Sequence, residues 1–176
     1  MNQKEMIERL KKQSDFGWIV CEIEGRRWFS DGRIGLECAE GIFTAGIQKL
    51  DVWMRGLTKY AVGVPAGYTT ALVCEMRGAF SVAYVRRIAV EGAEVSTYVQ
   101  EAYFRSIGQV SAVWIKPGID GEKAPLYFER DGKLVAFLMP MKQHSGIGGF
   151  PAVADLPEIP FLEDAVCFHT CPEDEE

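Results

Sequence analysis

The residues best suited to bind a metal ion lie together in the segment 167–171, CFHTC. Thiolate and imidazole groups are good zinc ligands, but a zinc site usually takes four of them, often from two cysteine pairs. A second pair is missing here unless His144, Glu163 or Asp164 completes the set. We therefore expect no metal site and no cofactor, and interpret these cysteines as incidental residues of an exposed segment.

The chain offers no recognisable catalytic group. Its two histidines, His144 and His169, do not accompany a nucleophile motif, and neither H-E-x-x-H nor G-x-S-x-G occurs. The glycine-rich segment 144–150 lacks the following helix start that a phosphate-binding loop needs. We nominate no catalytic residue, and an enzyme stays open only because catalytic residues can converge from distant positions.

Composition indicates one ordinary globular domain with a C-terminal extension. The 176 residues are 48% hydrophobic and 25% charged, with a net charge of −6 that argues against a protein coating nucleic acid indiscriminately. The charged start of the chain does not resemble a signal peptide, so we expect a cytoplasmic protein without disulfides. Three of the five cysteines, Cys21, Cys38 and Cys74, lie in strand-like runs and are predicted core residues.

Periodicity predicts helices and short strands in a repeated order. Helical spacing marks residues 3–13, and Ser96 or Thr97 is a candidate cap for a second helix ending at Ile107. Strands are predicted at 17–24, 27–29, 33–38, 58–64, 69–77, 79–90 and 110–115. Segment 41–57 is ambiguous between a helix and an insertion. The order is a helix, three strands, further strands, a helix and three strands.

The closing part of this plan is a hairpin at 124–141. Two apolar, aromatic-rich arms flank Asp131-Gly132, a residue pair that tolerates the positive φ angles of a two-residue turn. We place a domain at 1–143 and a Gly/Pro-rich segment at 144–176, in which the acidic residues 173–176 are expected to be solvated.

This hairpin resembles the last hairpin of a bacterial DNA polymerase sliding clamp, which runs through an Asp-containing turn into Met-Pro-Met or a close variant. Residues 103–107 (YFRSI) resemble the aromatic-Leu helix of clamps, and 28–32 (WFSDG) resemble their apolar–Thr–Asp–Gly segment. The resemblance implies an α+β fold: a single sliding-clamp-like domain with a duplicated helix-plus-strands plan and antiparallel sheets.

The resemblance also implies a function and sites. It indicates a non-catalytic interaction module linked to DNA replication or to a phage or plasmid system, with a protein or peptide partner. Met139, Pro140 and Met141 are the candidates for a peptide groove, because methionine thioethers adapt to varied ligands; Pro140 ending an edge strand is the alternative. The DNA-facing candidates are Lys4, Lys11, Lys12 and Arg105. Self-association and DNA binding are both left open, and no membrane partner is expected.

Three departures from the clamp pattern weaken the DNA role. The chain has room for one clamp domain instead of three, about 35 residues follow the Met-Pro-Met position, and the two helices carry few unbalanced basic residues. The alternative is a small-molecule-binding protein or enzyme of unrelated α+β fold, with a pocket under the C-terminal segment.

Overall fold

Helices and antiparallel strands make up the part of the chain that the computed structural model describes, residues 3–14, 17–39, 41–42, 57–78, 84–93, 96–117 and 124–141. The elements are α1 (Gln3–Gln13), β1 (Ile19–Ile23), β2 (Arg26–Ser30), β3 (Ile34–Glu37), β4 (Thr69–Thr70), β5 (Leu72–Gly78), β6 (Tyr84–Ala89), β7 (Ser96–Gln100), α2 (Glu101–Ile107), β8 (Ala112–Ile115), β9 (Leu126–Arg130) and β10 (Lys133–Leu138). Residues 57–60 are also helical. The predicted α+β class with antiparallel sheets is confirmed.

A helix followed by a three-stranded antiparallel meander occurs twice. The first unit is α1 with β1–β3 and the second is α2 with β8–β10. The last strands of the two meanders pair antiparallel, with Leu36 opposite Ala136, so that the larger sheet has the order β1-β2-β3-β10-β9-β8-β4. A second sheet has the order β5-β6-β7.

The larger sheet is covered on both faces. One face packs with α1, α2 and the smaller sheet, and the other packs with residues 57–68. Neighbouring residues of a strand point to opposite faces, and Phe29 accordingly belongs to the first core and Trp28 to the second. The helices α1 and α2 therefore lie on the same face of the larger sheet.

Turn chemistry explains the two tightest hairpins. Glu24-Gly25 and Asp131-Gly132 all have positive φ angles, between 51° and 74°. A two-residue turn of this kind matches the twist of the flanking strands, and glycine adopts it without steric cost. The predicted Asp131-Gly132 hairpin is confirmed.

The predicted start of the second helix is wrong. Residues Ser96–Gln100 form β7, paired with β6, and the helix covers only Glu101–Ile107. Thr97, Tyr98 and Val99 are β-branched or aromatic and buried, which favours a strand over a helix. Neither Ser96 nor Thr97 is therefore the helix cap; Gln100 takes that position without a side-chain hydrogen bond.

Other expectations also need correction. The predicted strand at 58–64 is a helical turn at 57–60 followed by a turn, because Leu57 and Ala61 face the core across one helical turn. Arg77-Gly78, expected as a turn, closes β5. Cys21 and Cys38 are buried as predicted, whereas Cys74 is only half-buried.

Most of 41–57, all of 79–83 and the segment 142–176 lie outside the described residues. None of the helices in the described ranges is long and apolar enough to cross a membrane.

Candidate binding cleft

An open cleft of about 1620 Å³ lies on the helix-bearing face of the larger sheet. Its walls come from α1, α2, the β1–β2 turn and the β9–β10 hairpin, and Met76 and Tyr84 line it from the smaller sheet. Leu10, Leu36 and Ile107 belong both to the first core and to the cleft lining. The cleft is thus an opening in the helix layer above the core, with an apolar base.

Basic side chains outnumber acidic ones around this cleft. Of the described residues that line it, six are basic and three are acidic: Arg9, Arg26, Arg27, Arg105, Arg130 and Lys133 against Glu22, Glu37 and Glu101. A concave surface of one charge sign raises the local concentration of opposite charges. The cleft therefore favours an anionic ligand although the chain as a whole is acidic.

A half-buried ion pair joins β2 and β3. Arg26 Nε and Nη2 donate to Glu37 Oε1 and Oε2, both at 2.6 Å, and Arg26 also donates to the Leu134 carbonyl. Lys133 Nζ lies 3.5 Å from Glu37 Oε1. The hydrogen bonds from Arg26 lower the pKa of Glu37, against the opposing effect of burial. Glu37 is therefore held as a carboxylate paired with Arg26, whose guanidinium carbon lies 5.1 Å from the centre of the Trp28 ring, on the side of the second core.

A buried ion pair holds the start of α2. Glu101 accepts hydrogen bonds from Arg86 Nε at 2.9 Å, from Arg86 Nη2 at 2.7 Å and from Arg105 Nε at 2.8 Å. Arg86 is fully buried on β6, and its Nη1 donates to the Cys74 carbonyl at 3.1 Å. Arg105 is 55% exposed. Glu101 thus compensates the buried Arg86 and places Arg105 at the cleft.

Of the other basic side chains that line the cleft, Arg130 is held by hydrogen bonds to the backbone, whereas Arg9 and Lys133 are accessible to a ligand. Arg130 donates to the carbonyls of Gln109 and Ile107, at 2.8 and 3.2 Å, and so satisfies acceptors at the end of α2. Lys133 is 61% exposed, and Arg9 is exposed without an ion pair to any described residue. Arg9 and Lys133 are consequently the side chains best placed to meet a ligand.

The structure separates the four predicted DNA-facing residues. Arg105 lines the cleft, whereas Lys4, Lys11 and Lys12 lie on α1 without lining it. Lys11 Nζ bonds Glu8 at 2.7 Å and sits 4.2 Å from the centre of the Trp18 ring. Sequence reasoning missed Arg9, although its spacing from Met6 and Leu10 places it on the same side of the helix.

The predicted groove residues Met139, Pro140 and Met141 cross from the larger sheet to the smaller one. Met139 N donates to the Arg33 carbonyl at 2.8 Å, and Met141 N donates to the Tyr98 carbonyl at 2.7 Å. Met141 packs against Val85 and Tyr98. All three residues are half-buried and lie apart from the cleft lining, and the peptide groove stays a prediction.

Two of the segments that resemble clamp motifs touch each other. Tyr103 Oη donates to Asp31 Oδ2 at 2.6 Å, and Asp31 Oδ1 accepts from the backbone N–H groups of Arg33 and Ile34. Burial, and then the bond to Asp31, raise the pKa of Tyr103. This buried contact ties α2 to the β2–β3 turn, a pairing that no local sequence signal indicates.

The described residues contain no group of three His, Cys, Asp or Glu side chains arranged to hold a metal ion. The CFHTC segment lies outside them. Comparison of the chain with known protein families, with curated proteins and with solved structures finds no match.

Proposed function

We propose that this protein is a non-catalytic interaction module built like one domain of a DNA sliding clamp, acting in the cytoplasm in DNA replication or in a phage or plasmid system. The observation that carries the proposal is the repeated helix-and-meander unit joined at β3 and β10. This repeat brings α1 and α2 into contact on one face of the sheet. Two adjacent helices on one face are what the clamp resemblance predicts.

The partner surface in this proposal is the cleft beside those helices. Its excess of basic side chains suits a polyanion such as duplex DNA, and Arg9 and Lys133 are accessible to it. Phosphate contacts of this kind supply sequence-independent affinity that falls with salt. The segment Met139–Met141 is the proposed site for a protein or peptide partner, or for a second copy of the chain.

The first experiment measures binding of a fluorescent DNA duplex by the full chain at about 50 and 200 mM salt. We expect the double variant Arg9→Glu with Lys133→Glu to bind at least about tenfold more weakly and with a smaller salt dependence. The control, Lys4→Glu with Lys12→Glu, changes the same number of charges on α1 outside the cleft. Equal loss in both variants, or no binding by the unmodified chain at low salt, would rule out the cleft as a DNA surface.

The mass of the protein in solution tests whether copies of the chain assemble into a ring, as sliding clamps do. Light scattering of the chain with and without residues 145–176 distinguishes a closed hexamer, which six single domains need to form a ring, from a monomer. If self-association uses the segment Met139–Met141, the double variant Met139→Ser with Met141→Ser should have a lower mass in solution while it keeps its fold. A monomer in every case limits the clamp resemblance to the fold.

The alternative function is small-molecule binding in the same cleft, which is concave and combines an apolar base with charged walls. It is favoured if inorganic phosphate or a nucleoside triphosphate raises the melting temperature of the full chain while duplex DNA does not. In that case the fold would be an α+β fold unrelated to clamps.

A further inference from the structure

The acidity of this protein is concentrated in its C-terminal segment. Residues 142–176 contain eight acidic residues and one lysine, whereas residues 1–141 contain 17 acidic and 18 basic residues. The segment therefore carries a formal charge of −7 and the rest of the chain +1. The negative net charge of the whole protein therefore does not represent the charge of residues 1–141.

The residue that precedes this acidic segment lies close to the cleft. Met141 N is bonded to the Tyr98 carbonyl on β7, and Gln100, two residues further along that strand, lines the cleft. Two strand residues span about 7 Å. Met141 also packs against Val85, whose neighbour Tyr84 lines the cleft and is 60% exposed. Met141, the last described residue before the acidic segment, therefore lies close to residues that line the cleft.

The length of the segment allows its acidic residues to cover the whole cleft. A chain spans at most about 3.3–3.6 Å per residue, so the 21 steps from residue 142 to residue 163 set an upper limit of about 70 Å on its reach. A covalent link of sufficient reach turns docking into an intramolecular event with its own effective concentration. Weak individual charge contacts are then sufficient for docking within one molecule.

The chemistry of the segment also complements that of the cleft. Phe161-Leu162 directly precedes Glu163-Asp164, and four consecutive acidic residues occupy 173–176. The cleft has an apolar base that includes Met6 and Leu10, and accessible cations at Arg9 and Lys133. The residue types of the segment, apolar and acidic, are therefore complementary to those that line the cleft, apolar and basic.

We propose that residues 155–176 dock into the cleft of the same molecule and compete there with an anionic partner. The inference rests on the proposed function in taking the cleft as the binding surface, and it adds an occupant that the chain itself supplies. Docking would be electrostatic in origin, so it weakens as salt screens the charges. A competing polyanion must displace the segment, which makes binding selective for highly charged partners.

A spin label on the segment tests the docking in the full chain. Cys74→Ser with Cys167→Ser leaves Cys171 for a nitroxide, since Cys21 and Cys38 are buried and burial raises the pKa of both thiols, that of Cys38 to about 12. We expect the amide signals of Arg9, Gly25 and Lys133 to be selectively broadened at low salt and to recover at about 1 M salt, where the screening length is about 3 Å. Amides of residues 57–68, on the opposite face, serve as the reference. Broadening that is equal on both faces, or that persists in high salt, would overturn the proposal.

Reversal of the charges on the segment and on the cleft is the second test. The set Glu173→Lys, Asp174→Lys, Glu175→Lys and Glu176→Lys should abolish the selective broadening, as should Arg9→Glu with Lys133→Glu, and combining the two sets should restore it. Failure of the combination to restore it would also overturn the proposal. DNA binding is measured on the same proteins: docking without DNA binding overturns the proposed function alone, whereas DNA binding that the lysine substitutions leave unchanged overturns the competition.

Discussion

At the scale of single residues, Glu101 combines burial with bonds to two arginines, and its role can be isolated by substitution. We expect Glu101→Gln to lower the free energy of unfolding by about 3–5 kcal/mol, because the fully buried Arg86 loses its counter-charge. Urea denaturation measures the effect.

The matched control for this substitution is Arg105→Gln, which removes the exposed donor to the same carboxylate. Exposed ion pairs contribute little, so we expect a loss of less than about 1 kcal/mol. If Glu101→Gln and Arg105→Gln lower the free energy of unfolding equally, the buried Arg86–Glu101 pair contributes no more to stability than the exposed Arg105–Glu101 pair. The double variant Arg86→Met with Glu101→Leu should be more stable than Glu101→Gln, since no charge then stays buried.

Glu37 makes stability depend on acidic pH. Its pKa is lowered from an ordinary value of 4.5 by Arg26, so its contribution is complete above pH 4.5 and is lost as pH falls through the folded-state pKa. We expect Glu37→Gln to cost about 1 kcal/mol at pH 7 and progressively less below pH 4.5.

Urea denaturation at several pH values measures this difference, with Glu22→Gln as the control because Glu22 is exposed on β1. A difference between wild type and Glu37→Gln that does not change with pH would show that the Arg26 contact does not depend on charge.

At the scale of elements, the centre of the larger sheet depends on a glycine. Gly35 on β3 lies opposite Phe137 on β10, and a Cβ atom at Gly35 would overlap the edge of the Phe137 ring. We expect Gly35→Ala to destabilise the protein by about 1–3 kcal/mol, because the ring must leave its packed position.

Thermal or urea unfolding checks this prediction in a double-mutant cycle. In a Phe137→Leu background the added methyl group has more space, so Gly35→Ala should cost much less there. Equal costs in both backgrounds would place the strain in the backbone of β3 instead of in the ring contact.

Local turn chemistry made the hairpins predictable and left the helix boundary uncertain. Asp131-Gly132 specifies its turn through two residues, and the flanking arms follow from it. The segment Ser96–Gln100 has polar residues that could cap a helix, but pairing with β6 and burial favour a strand. The competing signal was the β propensity of Thr97, Tyr98 and Val99.

The cleft was less predictable than the fold, because its key contacts join distant parts of the chain. Arg86 and Glu101 are 15 residues apart, and Tyr103 and Asp31 are 72 apart. Neither pairing is indicated by hydrophobic periodicity or by a sequence motif. Arg105 could be named because it lies on a predicted helix, and Arg9 could have been named on the same ground.

At the scale of the whole molecule, two buried tyrosines and one half-buried tyrosine make the fold sensitive to alkali. Burial is the main cause that raises the pKa of Tyr103, Tyr127 and Tyr68 above the usual value of 10.0. Their contribution to stability is complete below pH 10 and is lost as pH rises towards the folded-state pKa values. We expect the unfolding free energy to fall above pH 10 by up to about 1.4 kcal/mol per pH unit for each such tyrosine.

Urea denaturation between pH 8 and 11, with tyrosinate absorbance as a second signal, measures this loss. Tyr103→Phe should reduce the slope, and Tyr84→Phe, which removes the hydroxyl of a side chain that is 60% exposed, is the matched control. A slope that Tyr103→Phe does not alter would show that the Tyr103 hydroxyl is not the titrating group.

The β3–β10 pairing also sets the order in which the protein can be assembled during synthesis. Leu36 pairs with Ala136, one hundred residues later, so the centre of the sheet has a high contact order. While the chain emerges from the ribosome, β3 has an open edge until the last hairpin has been made, and open edges invite pairing with other chains. The nascent chain therefore closes the middle of its larger sheet only after β10 has been synthesised, and Ile34–Glu37 is the strand that most needs protection until then.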